Sequence, residues 1–148
     1  MFLSNSNNLD VILINMMLMI IWHLTVLIIC MVLPRSFFEP TKKLYVTRKW
    51  EKNGNLYIKN FKIKKWKDYL PQFVAKGGFS KTCRAEWNHL MCSMYFIVSF
   101  CINSVENAVI FSLIPIICNF PFLIIQRYNR IRLLKLEKKY TRQSHVSI

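Results

Sequence analysis

Apolar residues along this chain are gathered into long blocks and are not spread at the spacing of a soluble core. The first block, residues 10–33, carries one charge, at Asp10, and is long enough to cross ~30 Å of hydrocarbon at ~1.5 Å per residue. A second block runs from Trp87 to Arg127 and is interrupted near Asn103 by a short polar stretch. Because each half has about the length of one tilted crossing, the pattern predicts three transmembrane helices, at about residues 10–33, 87–104 and 107–126.

A cleaved signal peptide is the alternative for the first block. Such a peptide has a basic start, a shorter apolar core and a small-residue cleavage site. Residues 1–9 contain no Lys or Arg, and Pro34-Arg35 offers no cleavage site of that kind. We therefore expect the first block to be an uncleaved span.

The polar segments between these blocks are strongly basic. The formal net charge is +14, with 14 Lys and Arg between Arg35 and Arg84, 7 between Arg127 and Arg142, and none elsewhere. The positive-inside rule then places the N-terminus and the turn near Asn103 outside the cell. The expected protein is one all-α integral membrane domain, residues 1–148, multi-pass in a cell membrane, with two cytoplasmic parts: an interfacial segment at 35–86 and a basic tail at 127–148.

The basic segment at residues 35–86 also interleaves aromatic residues with Lys and Arg. Nucleic acid is one anionic partner for such a segment, but no nucleic-acid recognition motif is present. Lipid headgroups attract each juxtamembrane Lys or Arg by ~1 kcal/mol, and Trp and Tyr favour the same interface. We therefore expect the lipid bilayer as partner and no nucleic acid. Helical spacing predicts an amphipathic face in the headgroup layer, made of Trp66, Tyr69, Leu70 and Phe73.

Shorter signals subdivide this segment. Asn53-Gly54 predicts a turn, whereas Leu56–Ile63 fits either a helix or a strand. Residues 76–79, Lys-Gly-Gly-Phe, predict a flexible link to the second apolar block. Two glycines without a strand-to-helix pattern do not make a phosphate-binding loop.

The cysteines do not suggest metal or disulfide chemistry. The chain has 5 cysteines and no C-x-x-C pair, and four of the five fall in predicted spans. We expect them to be small apolar filler, and we expect no metal site. Cys83, beside Arg84, is the one candidate for a catalytic thiol.

The stretch RAEWNHL, from Arg84 to Leu90, offers acid–base chemistry. Glu86 and His89 are three residues apart and share one face of a helix, so the carboxylate can orient the imidazole and raise its basicity. A histidine held in this way is a candidate general base for a hydroxyl group. The alternative is an interfacial anchor built on Arg84 and Trp87. His23, alone in the first span, fits a packing role.

A second polar cluster ends the last apolar block. Asn119, Gln126 and Arg130 are spaced by seven and four residues, so they form one stripe on a helix, and Arg127 and Asn129 crowd the same end. Polar groups at membrane depth are costly unless they are paired or functional. We therefore expect RAEWNHL and QRYNR to meet and form a site.

These stretches resemble the glycosyl-4,4'-diaponeurosporenoate acyltransferases, small bacterial membrane proteins of carotenoid biosynthesis. The resemblance is carried by RAEWNH at 84–89 and NFPFLIIQRYNRIRL at 119–133, supported by EKNGNLY at 51–57 and IKKWKDYLP at 63–71. Two departures are Lys81, where the family has an acid, and a shorter segment before Arg84. The resemblance implies esterification of a sugar hydroxyl on a glycosylated carotenoid with a fatty acyl chain.

The expected function is therefore a membrane O-acyltransferase with a glycolipid acceptor and an acyl-thioester donor such as acyl-CoA, and no other cofactor. His89 and Glu86 are the expected catalytic pair, and the expected substrate-binding side chains are Arg84, Gln126, Arg127, Asn129 and Arg130. Two alternatives stay open: a different glycolipid acceptor, and a non-enzymatic membrane scaffold whose basic face binds anionic lipid or a partner protein. The pattern does not determine the acyl chain or the oligomeric state.

Overall fold

The structure, a computed structural model, describes residues 8–39, 41–66 and 78–146, and most of these residues are helical. Short 3-10 helices occupy Arg35–Phe38 and Lys49–Gly54. The α-helices are α1 (Asn8–Val32), α2 (Asn55–Lys59), α3 (Ile63–Trp66), α4 (Gly78–Ser93), α5 (Phe96–Ile102) and α6 (Val105–Val146). The all-α class is confirmed for these residues, and the stretch that fitted either helix or strand holds α2 and the start of α3.

The chain divides into two compact units. The first, which we call the apolar unit, comprises residues 1–33 and 87–121; the second, the basic unit, comprises residues 34–86 and 122–148. All 21 Lys and Arg of the sequence belong to the basic unit. The division made by packing therefore coincides with the division made by charge.

Two helices are long and apolar enough to cross a membrane, judged by length and composition: Asn8–Val32 and the Val105–Lys138 part of α6. The prediction of three such helices is wrong for the middle one. Residues 87–104 do not form one continuous helix, because α4 ends at Ser93 and the seven-residue α5 follows after a turn. The α4 helix also begins at Gly78, so much of its length is polar.

The break between α4 and α5 is formed at Met94 and Tyr95. The backbone N–H of Met94 bonds to the carbonyl of Met91 and that of Tyr95 to the carbonyl of Cys92, three residues back in each case, which tightens the chain out of α-helical geometry. Tyr95 is fully buried, and its hydroxyl donates to the backbone and side-chain oxygens of Asn15, each at 3.2 Å. The turn thus delivers a polar group to a partner on α1.

Buried hydrogen bonds between side chains connect the helices of the apolar unit. Asn15 and Asn103 are buried and exchange two side-chain hydrogen bonds, each of 2.9 Å. The Trp22 indole donates to the carbonyl of Met91 at 3.0 Å. Asn15 near the start of α1 pairs with Asn103, and Trp22 further along α1 pairs with the earlier residue Met91. The α4–α5 segment therefore runs antiparallel to α1.

The basic unit has its own core, made of apolar side chains from α2, α3 and α6: Tyr57, Ile63, Ile124, Ile125, Tyr128 and Ile131. The predicted turn at Asn53-Gly54 is confirmed, since Lys52, Asn53 and Gly54 all have positive φ. Gly54 is buried, and a Cβ added to it would lie 3.3 Å from Ile131 Cγ2. Glycine therefore serves both the left-handed backbone and the close approach of α6.

Two predictions for the interfacial segment lie at least partly outside the described residues. Tyr69, Leu70 and Phe73 of the proposed headgroup face are among the residues not described, as are the first two residues of the link at 76–79. Gly78, the third residue of that link, begins α4 with φ +63°.

We expect Gly54→Ala to destabilise the protein more than Gly78→Ala. Both residues have positive φ, which costs a side chain about 1–2 kcal/mol, but a Cβ at Gly78 meets nothing within 4 Å. The matched pair therefore isolates the contact with Ile131. Thermal unfolding in detergent, followed by circular dichroism, checks this; equal losses at the two positions would show that the contact does not matter.

Candidate functional site

The basic unit contains a buried network of ionised side chains. Arg130 Nε donates to Glu86 Oε2 at 2.8 Å, and Arg127 Nε lies 3.1 Å from Glu86 Oε1 and 3.4 Å from Glu51 Oε1. Glu51 and Arg130 are fully buried and Glu86 is 4 % exposed. Two carboxylates thus face two guanidiniums, so the network is electrically balanced, as buried charges must be.

Local backbone structure positions the side chains of this network. Arg127 and Arg130 are three residues apart on α6 and share a face, so both reach the α4 residue Glu86. In the Lys49–Gly54 helix, the backbone N–H of Arg48 donates to Glu51 Oε2 at 2.6 Å, half of a capping box. The second guanidinium nitrogen of Arg130, Nη1, donates to the backbone carbonyl of Tyr45.

Tyr57 completes the network by donating its hydroxyl to Glu51 Oε1 at 2.6 Å. Burial, with the hydrogen bond to Glu51 as the next cause, raises the pKa of Tyr57 above its ordinary value of 10.0, so the hydroxyl stays a donor. Because the pKa of Tyr57 is higher in the folded protein than in the unfolded chain, the contribution of this hydroxyl to folding stability is complete below about pH 10. It is lost as the pH rises above that value.

His89 has its partner within the apolar unit. Its Nδ1 lies 2.9 Å from Asn119 Oδ1, and Asn119 Nδ2 donates at 2.9 Å to the carbonyl of Pro115. Since that carbonyl can only accept, the amide of Asn119 is oriented with its oxygen toward His89. Nδ1 therefore carries the proton of the neutral imidazole, and Nε2 is the basic nitrogen.

The structure brings the two predicted stretches together, as expected: Glu86 of RAEWNHL meets Arg127 and Arg130 of QRYNR, and His89 meets Asn119. Both oxygens of Glu86 face arginines. The proposed orientation of the His89 imidazole by Glu86 stays a prediction.

The other predicted binding residues lie in the basic unit. The Arg84 guanidinium stacks 4.8 Å from the centre of the Phe38 ring, a cation–π contact. Gln126 is half-buried and Asn129 is 5 % exposed. Their contact with a substrate, and that of Arg127 and Arg130, stays a prediction.

Cys83 does not have the properties of a nucleophile. The side chain is fully buried, and burial raises the pKa of its thiol to about 12. The reactive thiolate is therefore scarce at neutral pH. Within the described part of the chain, no three His, Cys, Asp or Glu side chains gather in a way that would hold a metal ion.

Three residues of these clusters were not singled out from the sequence as site residues. Asn119 was assigned to the polar stripe but not to His89, although an amide inside an apolar block is a signal for a buried partner. Glu51 and Tyr57 fall in EKNGNLY, one of the stretches that carry the resemblance. Their meeting with α4 and α6 depends on tertiary packing, which spacing along the chain does not reveal.

Comparison with known families identifies a family that matches the second half of the chain. The family described as glycosyl-4,4'-diaponeurosporenoate acyltransferase matches residues 78–139, about two fifths of the chain, which confirms the resemblance over that part. The matched part contains Glu86, His89, Asn119, Arg127 and Arg130. No curated protein and no solved structure matches the chain.

We expect Glu86→Gln to lower the free energy of unfolding by about 3 kcal/mol, because it leaves the two arginines with too little negative charge in a buried site. Glu39→Gln is the matched control, since it makes the same chemical change at an exposed position of the same unit. Urea or thermal unfolding in detergent measures the difference. A network that contributes nothing would show equal midpoints for the two variants.

Proposed function

We propose that this protein is a membrane O-acyltransferase that transfers a fatty acyl chain to a sugar hydroxyl of a glycosylated carotenoid or a related glycolipid. The observation that supports it most directly is the His89–Asn119 pair, in which the oriented amide of Asn119 accepts from Nδ1 of the imidazole and leaves Nε2 as its basic nitrogen. The matching family is named for the same chemistry, acyl transfer to a glycosyl ester of a carotenoid acid.

In the proposed reaction, the hydroxyl oxygen of the acceptor sugar attacks the carbonyl carbon of an acyl thioester while His89 Nε2 takes the hydroxyl proton. The carbon–sulfur bond breaks as the new ester bond is completed, and the imidazolium returns its proton to the leaving thiolate. Proton and electron pairs balance, and no further cofactor is needed. Asn119 acts as a positioning residue that stabilises the imidazolium through Nδ1.

A lipid acceptor requires contact with the bilayer, and the distribution of exposed apolar side chains supports this. Of the 28 large apolar side chains that are exposed among the described residues, 24 belong to the apolar unit. Thirteen of those are on α1 alone. Exposed apolar surface of this extent is costly in water and favourable in hydrocarbon, so we assign the apolar unit to the membrane.

Orientation follows from charge. Since every Lys and Arg falls in the basic unit, the positive-inside rule assigns residues 35–86 and 127–148 to the cytoplasm and the turn near Asn103 to the outside. An acyl-thioester donor made in the cytoplasm would reach the protein from that side.

The alternative function is a non-enzymatic scaffold that binds anionic lipid or a partner protein through the basic unit. The concentration of all 21 Lys and Arg in that unit favours it. A scaffold depends on total positive charge, whereas an enzyme depends on the identity of His89.

Topology is tested by labelling single introduced cysteines in intact cells with a membrane-impermeant maleimide, in a background without the natural cysteines. A cysteine at Asn107 should react and one at Asn53 should react only after the cells are opened. Labelling of position 53 from outside would contradict the proposed orientation.

The general base is tested by His89→Gln, which keeps size and hydrogen bonding but loses the proton acceptor. Turnover should fall by ~10²-fold or more in an acyl-transfer assay on a glycosylated lipid, with membrane insertion unchanged. His23→Gln is the matched control, because His23 bonds to the Met19 carbonyl of its own helix and should tolerate the change.

Wild-type activity in His89→Gln would remove this residue from the mechanism. Absence of acyl transfer by the wild-type protein to any glycolipid offered would favour the scaffold.

A further inference from the structure

The basic unit contains a cavity of about 590 Å³ between the Val46–Asn53 segment and the α6 helix. Five cationic side chains line it: Arg48, Lys49, Lys52, Lys135 and Lys138. None of the side chains that line it is a carboxylate, and none of the five cations forms an ion pair with another described residue. All five are exposed, so their ammonium and guanidinium groups are available to a ligand.

This cavity differs from the buried network in the same unit. Arg127 and Arg130 face Glu51 and Glu86, so the network is already neutral. Around the cavity, the five like charges repel one another and no carboxylate is among the lining residues, so a bound anion would relieve the repulsion. Lys135 and Lys138 are three residues apart on α6 and so point to the same side.

The cavity also has a polar lip and an apolar wall. Lys52 and Asn53 adopt left-handed backbone conformations, with φ of 45° and 54°, which non-glycine residues adopt at a cost of about 1–3 kcal/mol each. Asn53 supplies an amide donor, and Ile131 and Leu134 supply apolar surface. A ligand with phosphate groups and a flat apolar portion matches this combination.

We propose that the cavity binds the phosphate groups of the acyl donor, so that a nucleotide-bearing thioester such as acyl-CoA is held there by the five cations. This proposal rests on the acyltransferase function and names the donor subsite within it. A volume of about 590 Å³ lies in the range of sites for small molecules and cofactors. Several phosphates meeting several Lys and Arg side chains are the usual pairing for such a charge density.

The anchoring of phosphates is tested with Lys135→Gln combined with Lys138→Gln. The matched control is Lys64→Gln combined with Lys65→Gln, an equal loss of charge at two exposed lysines of α3 outside the cavity. Binding of coenzyme A to the full chain in nanodiscs of zwitterionic lipid, measured by calorimetry at fixed ionic strength, should weaken about tenfold or more in the cavity variant. The control should change the dissociation constant by less than about twofold.

A ligand that lacks one phosphate provides an independent test of phosphate binding. Dephospho-coenzyme A should bind the wild-type protein more weakly than coenzyme A, and the cavity variant should reduce this difference. Equal loss of coenzyme A binding in the cavity variant and in the control would overturn the proposal, because it would show a general charge effect.

Anionic lipid headgroups carry the same phosphate chemistry, and a vesicle arm distinguishes them. If the cavity variant loses binding to phosphatidylglycerol vesicles relative to the control while the dissociation constant of coenzyme A is unchanged, the cavity is a headgroup site and the proposal is wrong. The proposed function is tested separately. If coenzyme A binds normally but the protein shows no acyl transfer, the donor site stands and the acyltransferase function is wrong.

Discussion

The basic unit depends on the buried ion network of Glu51, Glu86, Arg127 and Arg130. A buried charge without a partner costs several kcal/mol, and only a balanced set with close contacts escapes that cost. The network draws on three stretches that are distant in sequence, at residues 51–57, 84–89 and 126–130. Because the two carboxylates lie on stretches other than the one that carries Arg127 and Arg130, these contacts form only when the stretches pack together. In the same unit the Gly54 turn packs against Ile131, where a side chain would be both strained and too close.

The network has a consequence for the chemistry. Both oxygens of Glu86 face guanidiniums, and Arg130 is fully buried between Glu86 and the Tyr45 carbonyl. These ion pairs connect α4 to α6, and within the described residues Arg127 Nε and Arg130 Nη2 are buried without a hydrogen-bond partner. In the proposed mechanism, proton transfer falls to His89, which bonds to the amide of Asn119 in the apolar unit. In the proposed donor site, the anionic donor is attracted by cations that form no ion pair with a described residue.

Sequence patterns anticipated much of this arrangement. The apolar blocks predicted α1 and the apolar part of α6, and polar residues at membrane depth predicted that RAEWNHL and QRYNR would meet. The same patterns failed at residues 87–104, where hydropathy alone suggested one helix. There the turn at Met94 and Tyr95 interrupts the helix and delivers the Tyr95 hydroxyl to Asn15, a contact between residues eighty positions apart. Hydropathy averaged over a window of residues cannot predict a turn that depends on one buried hydrogen bond.

The sequence by itself determined the helical class, the apolar character of α1 and α6, and the concentration of positive charge in two segments, residues 35–84 and 127–142. These are sums over the transfer free energies and charges of individual residues, so they can be read without knowing any contact. Tertiary structure alone decided the partners: Asn119 for His89, two arginines for Glu86, and a shared cavity for lysines from separate segments. Partner choice depends on distances between residues far apart in the chain, and many pairings satisfy the same local pattern.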